Sequence, residues 1–455
     1  MAIKREFGKE QPFIPAGIFK IRLPLLHFKW EWSECIQAII MCATCLGAIP
    51  ILESVLEIPY DIAWSMVIIN GAGYMLHYVL GDPVVPGWIT PAIPLVSAFL
   101  MKAGVAGPER NRYLIALQLE VSGAFLIMGV TGLAKKVIKW IPSSLKAGIL
   151  LGAGMSAVLG EFSATGRFLK YPVTLTVGVI IAFYVLFSAR FQYMKQQSKF
   201  CKIIGNFGML PALIVAIIIG PIMKELPPPG LVLGSIVKIP DFSGIIQTLS
   251  PLGPTGFPGA VNFAKAFPVA IMVYIIAFGD FVSTDAMIGR AEISRDDEHI
   301  DLNANRSNII CFLRNGIQAI ICPYVPLCGP LWAAVTASVS ERYRTTGREG
   351  MDSIFSGVGT FRTMTFISVA LYPIAEFVRP ILPAALALTM IVQGYVCGDI
   401  AMEEAKTPVE RGVATVMAGI LIQQGAGWGL LAGVVLHLLC GAGKIAKRKE
   451  RVDEE

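Results

Sequence analysis

Runs of about twenty apolar residues recur along this chain, and nothing else in the sequence constrains the fold as tightly. A peptide group in hydrocarbon has no water to bond, so its N–H and C=O must pair within the protein. Helices do this segment by segment, so the runs predict an all-α polytopic membrane protein. The composition fits: 55% of residues are hydrophobic and 15% charged, against about 25% charged in a soluble domain. Mean hydropathy is +0.64. The 45 glycines and 29 prolines suit helices whose broken backbone bonds are re-satisfied by neighbours. The net charge of +6 needs no nucleic acid, because it falls mostly in loops on one predicted side.

Taken in order, the chain divides into five stretches. Residues 1–31 form a basic cytoplasmic segment, with 13–26 read as an amphipathic stretch lying on the membrane surface. Residues 32–224 hold a first repeat, with spans near 33–52, 58–80, 113–133, 143–160, 172–189 and 206–223. Its third segment, 83–101, is broken by prolines at 83, 86, 91 and 94. An extracytoplasmic connection covers 225–262. Residues 263–443 hold a second repeat: the helix bearing Asp280, then spans near 306–321, 352–376, 380–398, 408–424 and 426–442. Between the second and third of these lies a segment, 323–339, broken by Pro323, Pro326 and Pro330. A cytoplasmic tail, 444–455, ends the chain. The count is about fourteen, or twelve if both broken segments re-enter.

Basic loops support an even count with both termini cytoplasmic. Lys135, Lys136 and Lys139 fall inside, as do Arg190, Lys195, Lys199 and Lys202, then Arg290 and Arg295, then Arg342, Arg344 and Arg348, then Lys406 and Arg411. Lys102, Arg110 and Arg112 are the exception. The two broken segments also resemble each other. Pro94-Leu95 and Pro330-Leu331 each open a P-L-x-x-A, 236 residues apart, and Pro142 and Pro383 head similar stretches 241 apart. About seven spans separate equivalent points. Seven is odd, so the halves insert with opposite orientation, as an inverted repeat of seven segments each. The half-helices after the breaks would aim the positive ends of their dipoles at a shared gap, which favours an anion or the electron-rich edge of a heterocycle.

Asp280 interrupts the run 267–281, which has no other charge. An isolated carboxylate at that depth costs roughly 2.5–3.5 kcal/mol on insertion scales, so it marks a functional site by default. Thr284 lies one helical turn on, with Ser283 beside it. These oxygens suit a hard cation or the polar edge of a solute. Glu120, deep in its span, is a candidate proton relay. Glu53, Asp61, Asp82 and Glu161 read as solvated or salt-bridged groups near interfaces, and His77 as a packed, hydrogen-bonded histidine near Asn70. Cys42 and Cys45 form a C-x-x-C inside a span and read as small buried hydrophobes. The four histidines are too scattered to suggest a metal centre, so neither metal nor organic cofactor is expected beyond a transported Na⁺. The first thirty residues show no cleavable signal. No Ser-His-Asp spacing, His-Glu metal motif or nucleotide loop points to an enzyme.

Broken third and tenth segments, an acidic eighth span and the Ile-Pro-Ser-Ser-Leu-Lys-Ala-Gly-Ile-Leu opening at 141–150 together resemble one superfamily. It contains the nucleobase–ascorbate transporters, with uracil permease, and the sulfate permeases and bicarbonate transporters. The resemblance implies core and gate domains and a homodimer in a plasma or inner membrane. It places substrate at Thr90, Ala92 and Ile93 of the third segment, at Gly329, Pro330 and Leu331 of the tenth, and at Asp280, Ser283 and Thr284. In the sodium-coupled bicarbonate type, an Asp followed four residues on by a hydroxyl helps bind sodium, which Asp280 and Thr284 match. The tenth break, Cys328-Gly329-Pro330-Leu331-Trp332-Ala333, has no acid where nucleobase carriers usually place one. The expectation is therefore a secondary active transporter for a small anion or weak acid, coupled to Na⁺ or H⁺ through Asp280 and moving by elevator-like or rocking alternating access. Alternatives are a nucleobase proton symporter or, less favoured, an anion channel of the same fold.

Overall fold

The computed structural model describes residues 3–133, 141–164, 166–206, 209–230 and 236–440. The basic cluster Lys135, Lys136 and Lys139 and the tail 444–455 lie outside them, as do the side chains of Lys199 and Lys202. Two short strands, β1 (Ile14–Ala16) and β2 (Phe19–Ile21), open the fold. Helices α1 (Trp32–Leu46), α2 (Ile49–Leu56) and α3 (Tyr60–Val79) follow. A two-residue strand β3 (Gly87–Trp88) and a 3₁₀ turn (Thr90–Ala92) lead into the half-helix α4 (Ile93–Ala103). Next come α5 (Pro108–Thr131), α6 (Ser143–Phe162), α7 (Pro172–Phe187) and α8 (Ala189–Gln197). After them lie α9 (Lys199–Asn206), α10 (Leu210–Ile222) and the short α11 (Phe242–Thr248). Asp280 sits in α12 (Ala260–Ile293), followed by α13 (Ala304–Ile321), β4 (Cys328–Gly329) and α14 (Ala333–Gly350). The last helices are α15 (Ile354–Val369), α16 (Tyr372–Val378), α17 (Leu382–Glu404), α18 (Pro408–Gln424) and α19 (Ala426–Cys440).

Capping explains several starts. The side chains of Asp241, Asn303, Ser353 and Thr407 each accept from a backbone N–H in the first turn of the helix that follows, and Glu410 answers Thr407 to complete a capping box. Five stretches are long and apolar enough to cross a bilayer unaided: Trp32–Leu56, Pro108–Thr131, Ser143–Leu169, Ala260–Ile293 and Tyr372–Glu404. The pair α7 and α8 makes a sixth, bent by 59°. The protein is a multi-pass integral membrane protein.

The helices pack in two groups. One joins α1, α3, α5, α12, α13, α14 and α15; the other joins α6, α7, α10, α17, α18 and α19. The second group is held close by small residues. A Cβ on Gly154 would lie 2.6 Å from Cys397 Cβ, and one on Gly148 2.6 Å from Met417 Sδ, so neither position of α6 accepts a larger residue without movement. The 3₁₀ turn at Thr90–Ala92 touches α12 of the first group and α6 and α17 of the second.

Two expectations change. The stretch 13–26 holds an antiparallel hairpin with Ile14 opposite Ile21 in place of one continuous amphipathic element. Gly17 turns it with φ +63°, a conformation open to glycine. Lys20 then bonds Glu10 and Asp301, and buried Arg5 pairs with Asp297 at 2.6 Å and Glu298 at 2.9 Å, which ties the segment to the 294–303 connection. Likewise α14 continues as helix until a break at Gly347 (φ +63°), so Arg342 and Arg344 belong to a helix and not to a loop. Arg342 bonds Glu31 and Glu34 at the start of α1.

Candidate substrate and ion site

The two proline-broken segments meet. β3 and β4 pair antiparallel, with Gly87 opposite Gly329 and Trp88 opposite Cys328. Two residues per strand make a weak ladder, and the surrounding groups complete it. Ile89 N–H donates to Leu327 O at 2.9 Å, and Trp332 N–H to Val85 O at 2.6 Å. The Asn315 side chain closes one edge like a third strand: its amide donates to Cys328 O at 3.1 Å and its carbonyl accepts from Cys328 N–H at 3.0 Å. Irregular backbone inside a membrane protein survives when its polar groups are satisfied in this way. Glycine is required at the crossing. A Cβ on Gly87 would lie 2.7 Å from Leu331 O, and one on Gly329 2.9 Å from Ile89 Cγ1.

From this crossing the chain enters α4 on one side and α14 on the other. Where the two half-helices begin, Thr90 and Pro91 are part-exposed and Ala333 is exposed, whereas Ala92, Ile93, Pro330 and Leu331 are buried. Thr90 Oγ1 donates to Trp88 O at 3.3 Å.

Asp280 comes up against the crossing from α12. Its Oδ2 lies 3.3 Å from where a Cβ on Gly329 would sit. Among the described residues it makes no hydrogen bond and no ion pair. One turn on, Thr284 is 3% exposed, and its hydroxyl is buried without a partner. Beside Asp280, Gly279 faces open space: a Cβ there would meet nothing within 4 Å. Ser283 turns its hydroxyl back to Gly279 O at 3.0 Å, so it does not complete an oxygen set with its neighbours. Glu120 stays apart on α5; one of its oxygens is buried and unpartnered, and no hydrogen bond links it to Asp280.

Behind the crossing lies a polar core that sequence spacing only half reveals. His77 is fully buried; its Nδ1 faces Asp82 Oδ2 at 3.0 Å, while Ser307 donates to Asp82 Oδ1 at 2.6 Å. A carboxylate only accepts, which assigns the proton to Nδ1 and leaves Nε2 toward Cys328 Sγ, 3.7 Å away. Cys311 joins them: one ligand atom each from His77, Cys311 and Cys328 lie within 4.8 Å of one another. The histidines are scattered in sequence, but the fold gives one of them two thiol neighbours.

Arg314 and Arg362 are the residues that sequence reasoning passed over. Each is 2% exposed, and neither forms a salt bridge among the described residues. Arg314 stacks on the Tyr74 ring at 3.3 Å and Arg362 on the same ring at 4.2 Å, and Arg362 also lies 5.0 Å from the Trp332 ring. The signal was available, since each is a charge within a predicted span, the feature that singled out Asp280.

No family model matches the sequence, and no curated protein does. Solved structures do. The transmembrane domain of BicA, a cyanobacterium bicarbonate transporter, superposes with a TM-score of 0.55 at 13% identity, over 88% of this chain and 97% of that one. The chain shares the fold of that transmembrane domain. The murine Solute Carrier 26 family member A9 anion transporter, in its inward-facing state, matches at TM-score 0.50 and 13% identity, over 91% of this chain and 69% of that one. Both are membrane transporters and neither is an enzyme. At this identity the likeness is one of fold.

Proposed function

We propose that the protein is a secondary active transporter of a small anion or weak acid, with Na⁺ or H⁺ coupled through Asp280. The observation that carries this is the Asp280 carboxylate, unpaired among the described residues and held against Gly329, where two half-helices leave the β3–β4 crossing. A bare carboxylate in this setting is costly, and a bound cation or proton removes the cost. Thr284 supplies a hydroxyl on the same face, also without a partner. An anion fits the other half of the site, because helix N-termini at Thr90–Ile93 and Ala333 present backbone N–H groups and positive dipole ends. The structures of similar fold carry names of a bicarbonate transporter and an anion transporter.

The finer architecture follows the same reading. About fourteen segments form two inverted repeats of seven; the first helix group is the core and the second the gate, with the site at the 3₁₀ turn where they touch. Filling the site with both anion and cation discharges it, so the loaded core crosses the gate more readily than a half-loaded one. Both termini are cytoplasmic, and the working unit is a homodimer.

The test is uptake into proteoliposomes under an imposed Na⁺ or H⁺ gradient, with bicarbonate, sulfate, dicarboxylates, uracil, xanthine and urate. The expected result is gradient-driven anion uptake that Asp280→Asn abolishes. Coupled uptake at the wild-type rate in Asp280→Asn would sink the coupling role, and uptake of a nucleobase alone would replace the substrate class.

A further inference from the structure

We infer that the protein holds a resident halide ion within its first helix group, at a site formed by Arg362 and Asn70 and separate from the β3–β4 crossing. This inference does not rest on the transport reading. It starts from a small cavity between α1, α3 and α15, lined by Cys45, Asn70, Tyr74, Arg362 and Thr365, with apolar walls that include Val67 and Val369. Its volume, ≈ 10 Å³, admits one guest about the size of a water molecule.

The strongest donors with capacity left at this cavity belong to Arg362 and Asn70; the Cys45 thiol, the Tyr74 hydroxyl and the Thr365 oxygen beside them can also accept. Arg362 lies beside the Cys45 thiol, and its Nε and Nη2 are buried and unpartnered among the described residues. Asn70 has its carbonyl oxygen occupied twice, by Arg314 Nη2 and by Gln318 Nε2 at 2.9 Å. That assigns its amide nitrogen away from them, and the amide N–H groups have no partner among the described residues. Thr365 has already spent its proton on Phe361 O at 2.7 Å. Tyr74 fills one wall, stacked by both guanidinium groups. No carboxylate lines the cavity.

Charge sharpens the argument. Two guanidinium groups share one tyrosine ring and neither has an acidic partner among the described residues, although buried charges are ordinarily paired. The tyrosine face attracts a cation but does not neutralise it. A water molecule would satisfy one or two donors and leave both charges in place. A monatomic anion does both: it accepts from Arg362 and Asn70 together and cancels one of the two charges. The room available excludes a tetrahedral oxyanion, so the guest is a halide, chloride being the abundant one.

The experiment uses the full-length protein, purified and exchanged into sodium gluconate. Chloride, bromide or sulfate is then titrated at fixed Na⁺ and ionic strength while the melting temperature is read. The expected result is a saturable rise with chloride and bromide that Arg362→Met weakens, and no rise with sulfate that Arg362→Met weakens. Arg362→Met keeps a soft, long side chain against Tyr74 without the charge, so the variant should melt in gluconate no lower than wild type. Its halide affinity should fall by about tenfold or more, the loss of one charge-assisted hydrogen bond. A wild-type melting temperature that ignores halide overturns the inference. So does a halide response that Arg362→Met retains in full, because that response would come from the crossing or the surface. If Arg362→Met does not fold, bromide anomalous scattering from wild-type crystals decides. A peak between Arg362 and Asn70 supports the site; its absence there, or a peak only beside Thr90 and Ala333, overturns it.

Discussion

Gly329→Ala tests the geometry of the crossing with one methyl group. The new Cβ would lie 2.9 Å from Ile89 Cγ1, 3.3 Å from Asp280 Oδ2 and 3.3 Å from Ile89 N. Ile89 is fully buried, and its N–H is bonded to Leu327 O, so it cannot swing aside freely. Either strand β3 shifts or the Asp280 carboxylate retreats, and both disturb the place where solute and cation are proposed to meet. Overpacking of this kind costs about 1–3 kcal/mol. At 1.4 kcal/mol per tenfold, strain borne wholly by the site weakens binding by roughly 5- to 150-fold. The assay is the concentration dependence of uptake into proteoliposomes, beside the melting temperature of each variant. Two glycines bracket the result. Gly87→Ala is harsher, since its Cβ meets the backbone oxygen of Leu331 at 2.7 Å and backbone does not rotate away; loss of folded yield is expected. Gly279→Ala meets nothing within 4 Å, and a mid-helix alanine is favoured over glycine by about 1 kcal/mol, so the fold should be at least as stable. Wild-type affinity in Gly329→Ala, or a melting temperature lowered as much by Gly279→Ala as by Gly87→Ala, would refute the packing argument.

Two further predictions concern the connection that anchors the N-terminal hairpin. Arg5→Ala leaves Glu298, 2% exposed, without its cation; breaking a buried pair typically costs about 3–5 kcal/mol, and hydrogen exchange at residues 3–31 should rise sharply while α6, α17 and α18 stay protected. Unchanged exchange would mean that the hairpin is held by other contacts. At Asp301, burial pushes the carboxyl up, but hydrogen bonds from Lys20 and Arg306 outweigh it and hold the pKa at about 2. A carboxylate depressed on folding stabilises fully above its unfolded pKa, about 3.9, and loses that contribution as pH falls toward 2. Exchange of the hairpin should therefore rise between about pH 4 and pH 2, and Asp301→Asn should remove the part of that rise owed to this group. An identical profile in the variant would assign the transition elsewhere.

Much of this protein was legible from its residues one segment at a time. Apolar length predicts helices because hydrocarbon leaves a backbone no other donor or acceptor, and the long α5, α6 and α12 follow from it directly. The prolines at 91, 94 and 330 locate the two breaks because proline cannot continue the strand or helix before it. Asp280 stood out because a lone charge in an apolar run is expensive wherever the run folds. The same rule applied to Arg314 and Arg362, but a carboxylate four residues from a hydroxyl suggests a site by itself, whereas a lone arginine suggests one only when its partners are known.

Those partners are what the tertiary structure decides. Sequence cannot say that β3 pairs with β4 across some 240 residues, that Asn315 closes the ladder, or that Gly329 leaves room for the Asp280 carboxylate. It cannot show that His77 meets Cys311 and Cys328, or that two arginines share Tyr74 with no acid between them. Nor did it reveal the hairpin at 14–21, because pairing there turns on what Arg5, Lys20 and Arg22 find to bind. Local physics fixes what each segment must become, since backbone pairing and burial act within a few residues. Which polar groups are left unpaired, and so able to hold an ion, depends on contacts between segments far apart in the chain.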